Sequence, residues 1–149
     1  MIARQPITMA LSALLASSTG MPVGRGRKPA NTIPPYYLLY AVTAQTSGAP
    51  FTDMNEDLAV VYQVTSISGP DPSRPNSHGV ADQAELMADE ARTAILGRDP
   101  ATGLWLYPLI VPGAKVIGRS LDTEPGGSSD PADAIMSYVQ RFRFDLTPA

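Results

Sequence analysis

The stretch MSYVQRFRFDL, from Met136 to Leu146, decides the fold because apolar and polar side chains alternate along it. Such a period of two predicts a β-strand with one buried face, and we place this strand at residues 134–146. The predicted buried face carries Met136, Tyr138, Gln140, Phe142, Phe144 and Leu146. The opposite face carries Ser137, Arg141, Arg143 and Asp145. The strand therefore belongs to a sheet that is covered on one side.

Three other segments predict strands of the same sheet. Residues 58–68, LAVVYQVTSIS, repeat the alternation, and residues 36–43, YYLLYAVT, are aromatic and apolar after Pro34-Pro35. A third strand is expected at about residues 115–124. Residues 80–96 predict a helix, since one stripe is apolar and consists of Ala84, Met87, Ala88, Ala91 and Ile95.

The first 20 residues admit two interpretations. Ile7, Leu11, Leu14 and Leu15 are spaced as one stripe of an amphipathic helix, which we favour. The alternative is a secretory signal peptide, since a short apolar run follows Arg4 and ends in small residues. No run in this region reaches the roughly 20 residues that cross a bilayer, and no membrane association is expected.

The element order helix, strand, strand, helix, strand, strand predicts an α+β fold. We expect a mainly antiparallel four-stranded sheet with two helices packed on one face. The domain organisation follows as an amphipathic helix at residues 1–20, a connector at 21–35 rich in Gly, Pro and basic residues, and one α+β domain at 36–149.

Composition argues against most enzymatic chemistry. The 149 residues include no Cys and one His, which excludes disulfides, thiolate metal sites and multi-histidine clusters. His78 lies in a loop without a nucleophile motif, so a hydrolase that uses it is a remote hypothesis. A net charge of −3 argues weakly against a dedicated duplex nucleic-acid binder. We expect no enzyme, no cofactor and no metal.

Long irregular segments are the remaining feature, and they lie at residues 44–56, 70–79, 99–114 and 125–131. Such segments in a compact domain are usually functional. Trp105 and Tyr107 lie in the third, and they are either core residues or anchors of a protein interface. Arg141 and Arg143 form either a solvent face or one side of a subunit contact.

Three stretches together carry a resemblance to a known family. They are LAVVYQVTS at 58–66, AILGRDP at 94–100 with LWL at 104–106, and DAIMSYVQRFRF at 133–144. Over about residues 36–146 the chain resembles the tail terminator, or tail completion, proteins of long-tailed siphophages. The resemblance implies a structural virion protein that assembles as a hexameric ring on the tail tube, ends tube polymerisation and offers its other side to head-completion proteins.

The resemblance also implies partners and a location. The partners are further copies of the chain, the tail tube protein and a head-completion or connector protein, and DNA would only pass through the ring. The location is the head-proximal end of the tail, after assembly in the host cytoplasm. We expect Phe51, Asp53, Trp105, Tyr107, Arg141 and Arg143 at subunit or tube interfaces, and Arg25, Arg27 and Lys28 facing the lumen or DNA. The basic tract is alternatively a solvated linker, and the chain is alternatively a secreted or periplasmic binding module with a cleaved signal.

Overall fold

The computed structural model describes residues 1–48 and 56–149, and within them it shows two helices and five strands. The elements are α1 (Arg4–Thr19), β1 (Val23–Arg25), β2 (Tyr36–Ser47), β3 (Asp57–Ser68), α2 (Ala81–Leu96), β4 (Ala114–Asp130) and β5 (Ile135–Pro148). The α+β class is as predicted. Neither helix of the described ranges has the length and apolar character of a membrane span.

The sheet has five strands in the order β1-β2-β3-β5-β4, so the prediction of four strands was wrong. The additional strand, β1, lies inside the segment expected to be a connector, and it pairs with β2 in parallel. The other three pairings are antiparallel, which makes the sheet mixed. Strand β1 has only three residues, which is too few for a period of two to be visible. Its pairing is made by the backbone, so the sequence pattern could not reveal this strand.

The alternation along β3 and β5 places one face of the sheet under the helices, as predicted. Tyr62 of β3 pairs with Phe142 of β5, Val60 pairs with Phe144, and these side chains are buried. The Tyr62 and Phe144 rings meet edge to face, with centroids 6.0 Å apart. The charged face of β5 is turned away from the helices.

Both helices pack on this face and are tied to it by tyrosine hydroxyls. The apolar stripe of α1 is buried in the same core as the stripe of α2. The Tyr62 and Thr8 hydroxyls are 2.7 Å apart and hydrogen bonded, and the Tyr37 hydroxyl donates to the carbonyl of Met87 at 2.6 Å. Burial, and secondarily the charge of Glu90, raise the pKa of Tyr37 well above its ordinary value.

The start of α2 is held by a residue of β3, because Val80 at the N-cap position supplies no capping side chain. The buried Ser68 hydroxyl accepts a hydrogen bond from the Val80 N–H at 2.9 Å and donates to Gln83 Oε1 at 2.5 Å. Gly79 precedes this contact, and a Cβ there would collide with the Ser68 carbonyl oxygen and the Met136 nitrogen. Strand β3 therefore fixes where α2 begins.

Strands β4 and β5 form a hairpin that is longer than predicted. Strand β4 continues to Asp130, through Pro125 and the glycines that were expected to form a turn. The pairing survives because the register shifts at three points, between Val116 and Gly118, between Leu121 and Thr123, and between Thr123 and Gly126. As the last strand in the sheet, β4 forms one of its outer edges.

Candidate assembly surfaces

An apolar groove runs along the solvent side of α1. Pro6, Met9 and Ala10 line one wall, and Ile110 and Pro112 of the segment before β4 line the other, around a space of about 390 Å³. The groove continues past Ala13 and Ser17 toward Tyr107 as a second space of about 440 Å³. Below we call this surface the apolar groove.

Sequence explains why the groove lacks charge. After Arg4 the chain has no charged side chain until Arg25, and the segment between Asp99 and Lys115 has none. The fold brings these two uncharged stretches side by side, and it leaves Met9 52% and Ile110 80% exposed. Large exposed apolar side chains that lie together are typical of interaction sites. Reasoning from sequence missed both residues, although the length of the uncharged stretches was a usable signal.

Trp105 lies in a hairpin that follows the end of α2. Gly103, at φ +71°, donates its N–H to the Asp99 carbonyl at 2.7 Å, and the Leu106 N–H reaches the Gly97 carbonyl at 2.9 Å. Trp105 forms a β-bridge with Arg98 across this hairpin. The turn residues Asp-Pro-x-x-Gly thus position the indole over the sheet edge.

Two guanidinium groups contact the Trp105 ring. The Arg98 and Arg119 Cζ atoms lie 3.9 Å and 4.6 Å from its centroid, within the range of cation–π attraction. Arg119 is half-buried and also donates to the Ile95 carbonyl at 3.1 Å. Burial, and then the charge of Arg98, lower the pKa of Arg119. Trp105 is therefore half-buried and held within its own subunit.

Tyr107 has a different environment from Trp105. Its side chain is 39% exposed and stands between the apolar groove and a polar cleft lined by Ser18, Thr19, Asp89 and Glu90. A tyrosine at such a boundary presents an apolar ring and a hydroxyl to a partner. Of the two aromatic candidates, Tyr107 is the one whose surface is accessible.

Arg141 and Arg143 lie on the face of the sheet that the helices leave uncovered. Arg141 Nε donates to Gln63 Oε1 at 3.2 Å, and Gln63 Nε2 donates to the Tyr40 hydroxyl at 2.8 Å, so one polar chain crosses three strands. Arg143 forms an ion pair with Asp145 at 3.1 Å. Both arginines have partners inside the subunit, and the exposed ion pair contributes little to stability.

The remaining candidates divide into two groups. Arg25, Arg27 and Lys28 are exposed at β1 and the turn after it, on the edge of the sheet opposite β4. Phe51 and Asp53 lie outside the described residues. Within the described ranges, the acidic side chains and His78 form no group of three or more that could hold a metal ion.

Comparison with solved structures shows a relationship at the level of the fold. The chain shares its fold with a chain of a gene transfer agent particle. That solved structure is titled "Virion of native gene transfer agent (GTA) particle", and the two chains superpose with a TM-score of 0.57 at 13% identity. The match covers 95% of this chain and 91% of the other. No protein-family model matches the chain, and no curated protein matches it in sequence.

Proposed function

We propose that this chain is a structural protein of a phage virion that forms a ring on the tail tube. The ring ends tube polymerisation and provides the surface for joining the head. In this role the chain binds further copies of itself, the tail tube protein and a head-completion protein at the head-proximal end of the tail. It holds no cofactor and makes or breaks no bond in a substrate, and DNA only passes through the ring.

The observation that carries the proposal is the shared fold with a chain of a gene transfer agent, which is a phage-like particle. The match extends over nearly the full length of both chains, so it concerns the whole arrangement of sheet and helices. A ring also requires each subunit to present two different patches to its neighbours, together with surfaces for other proteins. The described residues offer both an apolar groove and a separate charged surface at each sheet edge.

The position of α1 favours this role over the secreted binding module. Removal of the first 20 residues as a signal would take Ile7, Leu11, Leu14 and Leu15 out of the core, where they are buried. Loss of one such side chain costs about 2–5 kcal/mol, and loss of four exceeds the usual stability of a domain. The chain with α1 in place is therefore the functional form in our proposal.

Particles assembled without this protein test the proposal. We expect abnormally long tails or tails that fail to join heads, and immunogold electron microscopy should place a tagged copy at the head-proximal tail end. Tails of normal length that join heads in its absence would contradict the proposal.

In this proposal the tail tube protein binds the apolar groove, and a complementation assay tests that contact. Ile110→Asp adds charge at an exposed position, so we expect a folded subunit that attaches poorly to tubes. Leu86→Asp is the matched control, because Leu86 is also exposed but does not line the groove. Equal complementation by both variants would remove the groove from the proposal.

A further inference from the structure

Positive and negative side chains are segregated along the sequence. The first 52 residues contain no Asp or Glu, and their cations include Arg25, Arg27 and Lys28. Residues 120–140 contain no Lys or Arg, and they carry Asp122, Glu124, Asp130 and Asp133. Below we call the three cations the basic edge and the four carboxylates the acidic arm.

The topology converts this segregation along the chain into a separation in space. The basic edge belongs to β1 and the turn that follows it, and β1 is the first strand of the sheet. The acidic arm belongs to β4 and the turn into β5, and β4 is the last strand. The β1 edge and the C-terminal half of the β4 edge therefore carry opposite charge, and Lys115 and Arg119 lie toward the other end of β4.

One residue of each charged group, Arg25 and Glu124, lies at the same level of the sheet. Arg25 pairs with Leu39, Leu39 with Val64, and Val64 with Gln140. The Gln140 amide then donates to Glu124 Oε1 at 3.0 Å, which completes the row at the opposite edge. Since directly paired residues project to the same face, Arg25 and Gln140 lie on the helix side, and the Glu124 carboxylate reaches that side through its hydrogen bond to Gln140.

All seven side chains are exposed. Within residues 1–48 and 56–149, the ion pairs are Arg74 with Asp71 and Arg143 with Asp145, so none of the seven takes part in one. The basic edge and the acidic arm thus each present charge of one sign outside those ion pairs, next to backbone that no neighbouring strand covers.

We propose that the basic edge of one copy binds the acidic arm of the next copy, which makes this contact the subunit interface of the assembly. The inference rests on the proposed ring function and adds its residues and polarity. A contact between two basic edges, or between two acidic arms, would bring like charges together, which is strongly unfavourable. Contact between different edges of successive copies satisfies both charges and continues from copy to copy, as a ring requires.

Site-specific cross-linking tests the contact directly, because the chain contains no cysteine. Arg25→Cys with Glu124→Cys in one chain should give a ladder of disulfide-linked multimers under mild oxidation. Each single variant alone should stay monomeric, and an equimolar mixture of the two should stop at dimers. Cross-linking of the single variants to themselves, or no cross-linking of the double variant, would overturn the proposal.

Charge reversal gives a second measurement that does not depend on cross-links. Reversing the basic edge to Glu, or Asp122, Glu124 and Asp130 to Lys, should raise the concentration needed for association by about tenfold or more. An equimolar mixture of the two variants should restore association, since one then carries two acidic edges and the other two basic edges. Arg4, Arg74 and Arg92, all to Glu, make the control for the basic-edge variant, with the same charge change away from both edges.

The outcomes separate this interface from the proposed function. Association of the unmodified chain should weaken as salt rises from about 0.1 M to 1 M, where the screening length falls from about 10 Å to 3 Å. If tails need the protein but both tests fail, the edge contact is wrong and the ring function stands. If both tests succeed but tails form normally without the protein, the interface is right and the ring function is wrong.

Discussion

Replacement of Trp105 by Ala should destabilise the subunit itself, and the size of the effect follows from its surroundings. Two guanidinium groups lie over the ring, and each such contact contributes about 1 kcal/mol at a partly exposed position. Replacing a fully buried Trp by Ala costs about 3–5 kcal/mol. Because Trp105 is half-buried, we expect its lost packing to add roughly 2 kcal/mol to the loss of the two arginine contacts. The expected total is about 4 kcal/mol.

Thermal unfolding followed by circular dichroism measures this loss. For a chain of this length, about 4 kcal/mol lowers Tm by roughly 8–16 °C. The Tm of Trp105→Phe should lie between that of the unmodified chain and that of Trp105→Ala, because a phenyl ring keeps the apolar contact and attracts cations less strongly than indole. Leu104→Ala is the neighbouring control, since Leu104 is 69% exposed and should change the free energy of unfolding by less than about 0.5 kcal/mol.

The reasoning fails if Trp105→Ala leaves Tm unchanged while association with other copies or with tubes is lost. That result would make the indole an interface anchor, and the two arginine contacts would be incidental. We expect instead that Trp105→Ala lowers the Tm of the isolated subunit and that the variant still associates at low temperature, where it is folded.

Three further predictions concern the helix layer. Ser68→Ala removes the hydrogen-bond partner of the α2 start, so the free energy of unfolding should fall by about 2 kcal/mol by chemical denaturation, against almost no change for exposed Ser120→Ala. Gly79→Ala should cost about 3 kcal/mol or more, since a Cβ collides with backbone there, whereas Gly127→Ala meets only an ordinary contact at 3.8 Å; equal Tm values would refute this. The raised pKa of Tyr37 means that the unfolded chain releases its proton first, so stability should fall as pH rises above about 10, and a flat profile would contradict it.

The central strands were predictable because their sequence alternates between apolar side chains that are buried and polar side chains that are not. In β3 and β5 every second side chain enters the core, so the period of two is visible without any knowledge of partners. The stripe of α2 is visible for the same reason. The existence of β1 was not predictable, because its pairing with β2 is a backbone contact between residues that have no shared pattern.

The assembly surfaces were less predictable than the fold. Trp105 could be either core or interface on sequence alone, and the arginine that decides its environment, Arg119, comes from β4. Ile110 belongs to a segment of mixed burial, in which Leu109 and Val111 are buried on either side of it. Such an alternation within an irregular segment has no periodic signature, so only the tertiary structure shows which residue is exposed.

The separation of basic and acidic residues along the chain is visible in the sequence, but only the strand order shows where these residues lie in the subunit. The N-terminal part of the chain supplies one sheet edge and the C-terminal hairpin supplies the other, so the order of charges along the chain becomes a polarity across the subunit. A net charge of only −3 conceals this dipolar arrangement. Two copies that meet through their basic edges, or through their acidic arms, repel each other, whereas a basic edge attracts the acidic arm of the next copy. A subunit with this polarity is therefore suited to head-to-tail assembly, and whether the assembly closes depends on the rotation between neighbours.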